Sequence, residues 1–233
     1  MHLGTLYGVG IGPGKPEYLT LRAAEVLRAA AVIFTVISRN ASDSVSQSVV
    51  EWLKPQGRIE LLSFTMSRDT AEREAQVHNN AQRIIDELAQ GQDCAFATLG
   101  DAMTYSTFGY IMQHVRAALP QVRIEIVPGI TSFAALAAEA GTVLAEKGEQ
   151  LRIIPSFKAS MVQDVTFPKG STTILLKTYH SRNALLDRLD AEEDIELLYG
   201  EHVTMQEQVL LNESVAIRQR PDTYLSLMMV KKH

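Results

Sequence analysis

A single cysteine, Cys94, stands among the 233 residues. That excludes an internal disulfide and a cysteine-built zinc site, and it suits a reducing compartment. Positive charge is not in excess: 22 Lys and Arg stand against 27 Asp and Glu, a formal net charge of −5. No global field gathers nucleic acid or an anionic membrane. Long apolar runs are missing too. Among the longer uncharged stretches are Ala29–Ser38, Ala102–Val115 and Ile126–Ala138. All fall short of the ~18 apolar residues that span a bilayer. The start, Met1-His2-Leu3-Gly4-Thr5, lacks the basic residues and apolar run of a signal peptide. The chain therefore reads as soluble and cytoplasmic, with neither nucleic acid nor membrane as partner. The six histidines contain no His-x-x-x-His pair, so no metal site is expected.

What is present is ordinary globular composition, 46% hydrophobic and 21% charged. The length allows one large domain or two small ones and a core that needs no staples. The first half alternates strand and helix patterns. Leu3–Val9 reads as a strand running into glycines, and Thr20 as the N-cap of a helix over Leu21–Ala30. Ala31–Ile37 reads as a buried strand. Ser38–Ser48 is polar and leads into a helix that ends near Lys54-Pro55-Gln56-Gly57. Arg58–Ser63 is a strand, Thr70–Gln90 a helix stopped by Gly91, and Asp93–Thr98 a strand. Tyr105–Ala118 reads as helix, Val122–Val127 as a half-buried strand, and Thr131–Ala140 as an alanine-rich helix.

The second half is richer in strands: Leu151–Ile154, Thr172–Leu176, Ile195–Tyr199, Glu207–Leu211 and Tyr224–Val230, with one convincing helix at Arg182–Leu189. The pattern predicts an α/β chain of two α/β domains, residues 1–128 and 129–233, parallel in the first and mixed in the second.

Gly8-Val9-Gly10-Ile11-Gly12-Pro13-Gly14 follows the first strand. Glycines at alternate positions suit close backbone approach to a ligand, against the blander reading of a flexible turn. The dinucleotide fingerprint fails because Pro13 stands where glycine is needed. The phosphate-loop pattern fails at Val9 and Pro16. Three further loops lie at the C-terminal ends of expected strands: Leu99–Tyr105, Val127–Ser132 and Lys177–His180. Open α/β sheets bind ligands at this edge. Gly100 and Gly129 permit close contact, Asp101 adds a carboxylate, and Thr104, Thr131, Ser132 and Thr178 add hydroxyls. Each hydroxyl alone reads as a helix cap; the four loops together suit a polar, partly cationic small molecule.

The segments Tyr7–Gly14 with Pro16-Glu17-Tyr18-Leu19-Thr20, Gly100-Asp101, Val127–Ser132 and Tyr224-Leu225-Ser226-Leu227 resemble the tetrapyrrole methylase family in order and separation. The resemblance covers nearly the whole chain. Within the family, Gly100–Phe108 and Tyr224–Val230 are most similar to the C20-methyltransferases of cobalamin synthesis. Two positions depart from the family pattern. Lys15 stands where Asp is usual, and Gly100-Asp101-Ala102 where Gly-Asp-Pro is usual, which removes a fixed φ.

The resemblance implies a homodimer of two-domain chains with S-adenosyl-L-methionine in the cleft between domains. It implies cofactor contacts at Pro13, Gly100, Asp101, Met103, Thr104, Thr131 and Ser132, and also at Thr178 and Leu227. Precorrin-2 or cobalt-factor II is the implied substrate, its methyl acceptor a meso carbon. Asp101 and Tyr105 are the candidates nearest the chemistry, Asp101 as an orienting group before a base. Arg39, Lys147, Lys158, Lys177 and Arg182 are candidate anchors for substrate carboxylates, and His180 and His202 candidate substrate contacts. The rivals are a relative serving another ring position, RNA or a protein residue, and a non-catalytic protein that holds a tetrapyrrole or nucleoside.

Overall fold

The computed structural model describes residues 2–38, 44–65, 69–155 and 159–233. The chain forms two compact units, Met1–Thr131 and Ser132–His233.

In the first unit, the elements are β1 (Leu6–Gly10), α1 (Leu21–Ala29), β2 (Val32–Ser38), α2 (Val45–Trp52), β3 (Arg58–Phe64), α3 (Thr70–Ala89), β4 (Cys94–Thr98), α4 (Phe108–Ala118) and β5 (Ile124–Val127). The five strands form one parallel sheet in the order β3-β2-β4-β1-β5. Its central strands read as continuous apolar runs because both faces are covered. Leu6, Val32, Phe34, Leu62 and Phe96 turn to one face, with Ile84 and Leu88 of α3 and Phe108 and Ile111 of α4. Val9, Ile33, Ala95 and Ala97 turn to the other, with Val26 and Leu27 of α1 and Val49 and Val50 of α2. Burying each large side chain is worth ~1.5–3 kcal/mol. Thr20 caps α1 as its sequence predicts, its hydroxyl accepting from the Ala23 N–H at 3.1 Å. Gly91 ends the α3 segment at φ +81.

This topology positions a site. The neighbouring strands β1 and β4 lead to helices on opposite faces, the switch point at whose C-terminal sheet edge open α/β sheets bind ligands. The register keeps that edge flush: Gly10 pairs with Thr98, and Val9 with Val127.

In the second unit, α5 (Ser132–Ala140) precedes β6 (Gln150–Pro155), β7 (Ser171–Leu176), α6 (Arg182–Leu189), β8 (Ile195–Glu201), β9 (Val209–Leu211), α7 (Ser214–Arg218) and β10 (Ser226–Lys232). The sheet order is β6-β7-β10-β8-β9. β6 and β7 are parallel and the remaining pairs antiparallel, the mixed sheet that the sequence predicts. Its core gathers Leu175, Leu185, Leu186, Tyr199, Ile217 and Met228.

Several boundaries differ from the sequence expectation. α4 starts at Phe108 rather than Tyr105, because Tyr105 takes a left-handed φ of +52. The Ser106 hydroxyl then accepts the Phe108 N–H at 3.1 Å. The last strand starts at Ser226 rather than Tyr224, leaving Tyr224 in the preceding loop. α7 has five residues, too few to show a helical period.

Candidate functional site

Three loops of the first unit are stitched at the β4-β1-β5 edge. Gly12 and Gly100 form an antiparallel bridge: the Gly12 N–H donates to the Gly100 carbonyl at 3.1 Å and the Gly100 N–H to the Gly12 carbonyl at 2.7 Å. Asp101 ties in the third loop. Its Oδ1 accepts from the Met103 N–H and the Thr104 hydroxyl, both at 2.9 Å, and its Oδ2 accepts from the Gly129 N–H at 3.1 Å. Partial burial alone would raise the Asp101 pKa; the N–H donors of Gly129, Met103 and Thr104 and the Thr104 hydroxyl outweigh it and hold it below the usual value. A carboxylate with both oxygens engaged serves as a brace and is a weak proton acceptor.

The glycines divide by what their missing side chains would meet. A Cβ on Gly8 would lie 2.2 Å from the Phe108 ring. One on Gly10 would lie 2.6 Å from Gly129 N, and one on Gly129 2.2 Å from the Gly100 carbonyl oxygen. These three are glycine because the protein packs against itself there. That corrects the uniform reading of the loop as ligand contact. Gly100 is different: its φ is +75 and a Cβ would meet nothing within 4 Å among the described residues. It is the position beside open space that a ligand can use.

Around Gly100, Met103 is 52% and Tyr105 49% exposed. Pro13 is buried, and Thr104, Thr131 and Ser132 are half-buried. Ala102, the departure from the family's proline, is buried in the core cluster with Phe96 and Phe108. The first loop, Gly100, Asp101, Met103 and Thr104 and the Gly129 turn thus share one sheet edge. Ser132 opens the second unit at the start of α5.

The second unit has its own edge, formed by the end of β7, the end of β8 and the start of β10. Leu227 pairs with Leu176, and Ser226 with Glu201. Thr178 follows β7 there, fully buried, and its hydroxyl has no hydrogen-bond partner among the described residues. A buried hydroxyl left unmet is costly, and a ligand donor or acceptor would relieve it. Leu227 is 3% exposed beside this edge.

Tyr179 lies against His180, with ring centroids 3.9 Å apart, and edge-on to Tyr224 at 5.7 Å. Lys177, at φ +57, places its ammonium 5.6 Å from the Tyr224 ring centroid. Burial, then Tyr224, raises the Tyr179 pKa. His202 Nε2 meets the Thr223 hydroxyl at 3.1 Å. The Lys177–Tyr224 arrangement escaped the sequence reading, since the two lie 47 positions apart; the aromatic residues at both loop ends are its one trace.

The candidate carboxylate anchors fare unequally. Arg182 is only 5% exposed and spends its guanidinium on protein groups, so it is a structural arginine. Lys147 precedes β6, at the opposite strand ends from Thr178. Arg39 and Lys158 lie outside the described residues. Lys177 stays at the edge. Among the described residues no group of three or more His, Cys, Asp or Glu could hold a metal ion, and no helix is long and apolar enough to cross a membrane.

Comparison with known proteins bears on the family and the fold. The family model of tetrapyrrole (corrin/porphyrin) methylases matches residues 5–216. The chain is 33% identical to a cobalt-precorrin-2 C(20)-methyltransferase of Salmonella typhimurium, covering 98% of this chain and 97% of that one. It is 25% identical to a precorrin-2 C(20)-methyltransferase of Sinorhizobium, covering 98% and 95%. A solved structure of a cobalamin synthesis related protein from Corynebacterium diphtheriae shares the fold, with a TM-score of 0.78, 22% identity and 99% of each chain covered. The chain belongs to the tetrapyrrole (corrin/porphyrin) methylase family.

Proposed function

We propose that this chain transfers the methyl group of S-adenosyl-L-methionine to C20 of a precorrin-2-type macrocycle, with or without cobalt, in cobalamin biosynthesis. The observation that carries the reading is the likeness, over nearly the full length, to the C(20)-methyltransferase of Salmonella. The Sinorhizobium likeness supports it and leaves both metal states of the substrate in play.

The residues fit the cofactor. Gly100 offers main chain beside open space, and Thr178 offers a buried hydroxyl without a partner. Pro13, Gly100, Asp101, Met103, Thr104, Thr131 and Ser132 are proposed to hold it, with Thr178 and Leu227 of the second sheet edge. When bound, S-adenosyl-L-methionine supplies an electrophilic methyl group on a sulfonium sulfur and leaves as S-adenosylhomocysteine. The protein's task is to keep the acceptor carbon in line with that methyl group at ~3–3.5 Å.

Asp101 serves by fixing the Gly100 and Gly129 loops, since its oxygens are already committed. Tyr105, half exposed next to this brace, is the side chain proposed to face the substrate. The proton released from C20 passes to solvent or to a group on the macrocycle. Lys177 is proposed to meet a rim carboxylate through a charge-assisted bond.

The test is NMR of product made with 13C-methyl cofactor. A label on the bridging carbon between rings A and D supports the reading; a label on a pyrrole-derived carbon rejects C20. Mass spectrometry of products from metal-free and cobalt-loaded substrate decides the metal state. The homodimer and cytoplasmic location that accompany the reading are tested by light scattering and fractionation.

A further inference from the structure

Beneath the β7/β8/β10 edge lies a chain of buried polar groups that none of the proposed contacts uses. Arg182, the first residue of α6, is 5% exposed, and Glu201, the last of β8, is 1% exposed. Arg182 Nη1 donates to the Pro221 carbonyl at 2.9 Å and to the Tyr199 hydroxyl at 3.5 Å. Its Nη2 donates to the Arg220 carbonyl and lies 3.2 Å from the Asp222 carboxylate. The Tyr199 hydroxyl donates to Glu201 Oε1 at 2.8 Å. The other Glu201 oxygen receives both Nε and Nη2 of Arg220, at 3.1 and 2.7 Å.

These bonds meet at residues 220–222, Arg182 on the Arg220 and Pro221 carbonyls and Glu201 on the Arg220 guanidinium. Residues 220–222 are gripped from below by Arg182 and from the side by Glu201. The next residues are seated in turn. Thr223 meets His202, and its carbonyl accepts from the Ser226 hydroxyl at 2.8 Å. The Leu225 carbonyl accepts from the His202 N–H at 2.9 Å. Between them Tyr224 stays 43% exposed, over Lys177 and Tyr179. Charges this deep carry a desolvation cost that hydrophobic side chains of the same size would avoid. Arg182 Nε has no hydrogen-bond partner among the described residues; its two Nη groups, the Tyr199 hydroxyl and both Glu201 oxygens are bonded, and linked bonds of this kind favour one backbone arrangement.

We propose that Arg182 and Glu201, acting through Tyr199 and Arg220, are positioning residues that hold the 220–225 segment so that Tyr224 and Lys177 present one fixed platform to the macrocycle. They do not touch substrate. The proposal rests on the methyl-transfer reading above. It separates the two ligands: Thr178, whose carbonyl accepts from the Ser181 N–H, and Leu227, paired with Leu176 and Gly200, take no part in the clamp's bonds, so cofactor binding is expected not to depend on it.

The experiment compares wild type with Tyr199→Phe, which removes one oxygen from a ring that stays buried, and with Glu201→Gln. Three experiments are run: calorimetry for the Kd of S-adenosylhomocysteine, kinetics for KM and kcat with the macrocycle, and hydrogen exchange of peptides spanning 219–225. Both variants are expected to bind S-adenosylhomocysteine within about twofold of wild type and to raise the macrocycle KM about tenfold or more, since a misplacement near 1 Å costs up to ~100-fold. Exchange across 219–225 quickens in step. An unchanged KM in a folded Tyr199→Phe overturns the clamp alone, as does a KM and Kd that weaken together. If Glu201→Gln does not fold, Tyr199→Phe decides. A wild type that binds S-adenosylhomocysteine yet methylates neither macrocycle overturns the function reading, and the clamp with it.

Discussion

Replacing Asp101 by asparagine exchanges one acceptor oxygen for an NH2 group. Among the donors the carboxylate now satisfies are the Met103 N–H, the Thr104 hydroxyl and the Gly129 N–H. An amide that keeps its oxygen toward Met103 and Thr104 turns its NH2 toward the Gly129 N–H, and two donors then face each other. Leaving one such donor unmet costs about 1–3 kcal/mol. At roughly 2–4 °C per kcal/mol for a chain of this size, the melting temperature falls by about 2–12 °C.

The pH dependence has a fixed sign. The folded Asp101 pKa is lowered, so its contribution is full above the unfolded value of about 3.9 and is lost as pH falls through the lower folded value. The gap in melting temperature between wild type and Asp101→Asn is therefore widest near neutral pH and closes below about pH 4. Calorimetric scans from pH 7 to 3 and titration with S-adenosylhomocysteine check this. An Asn variant that melts within a degree of wild type and binds normally, yet loses turnover, would refute the brace and make Asp101 a proton acceptor.

Gly129→Ala forces a Cβ to within 2.2 Å of the Gly100 carbonyl and is expected to destabilise by about 3 kcal/mol. Gly100→Ala has room but a φ of +75; it costs about 1–2 kcal/mol, with S-adenosylhomocysteine affinity falling about tenfold. Equal melting temperatures for the two would contradict the division of the glycines. Thr178→Val removes a buried hydroxyl without a partner; stability holds or rises while cofactor affinity drops, and an affinity equal to wild type counts against Thr178 as a contact. Cys94 is fully buried, and burial pushes its thiol up to about 12. A disulfide reagent at pH 8 should modify it only as the chain opens, so labelling within seconds in native buffer would be inconsistent with the packing.

Local signals carried most of the architecture. Thr20 before a helical period, the β-branched run Val32–Ile37 and the spacing of Arg182–Leu189 each state an element within a few residues. The candidate site was legible as a set of loops but not as a set of roles. Whether a glycine faces a ligand or another backbone depends on partners far away in sequence. Gly10, Gly100 and Gly129 meet one another, and nothing near any of them in the sequence says so. Arg182 misled for the same reason. A charged first-turn residue normally faces water, and its burial is decided by carbonyls at Arg220 and Pro221. Tyr105 reads as helix by composition, yet its left-handed φ moves the helix start to Phe108.

The strand order β3-β2-β4-β1-β5 has a consequence for how the chain is made. β1 and β2 leave the ribosome first but are not neighbours; β4, at residues 94–98, sits between them and pairs with both. Until it emerges, β1 has no partner at all, since its other neighbour β5 comes later still. The sheet thus closes from the middle, after loop closures of long sequence separation, the slow kind of contact to form. Nascent chains arrested before β4 has cleared the exit tunnel should be open to protease, and those arrested beyond β5 protected. The edge that the glycine loops occupy is therefore completed late, once both β4 and β5 have emerged.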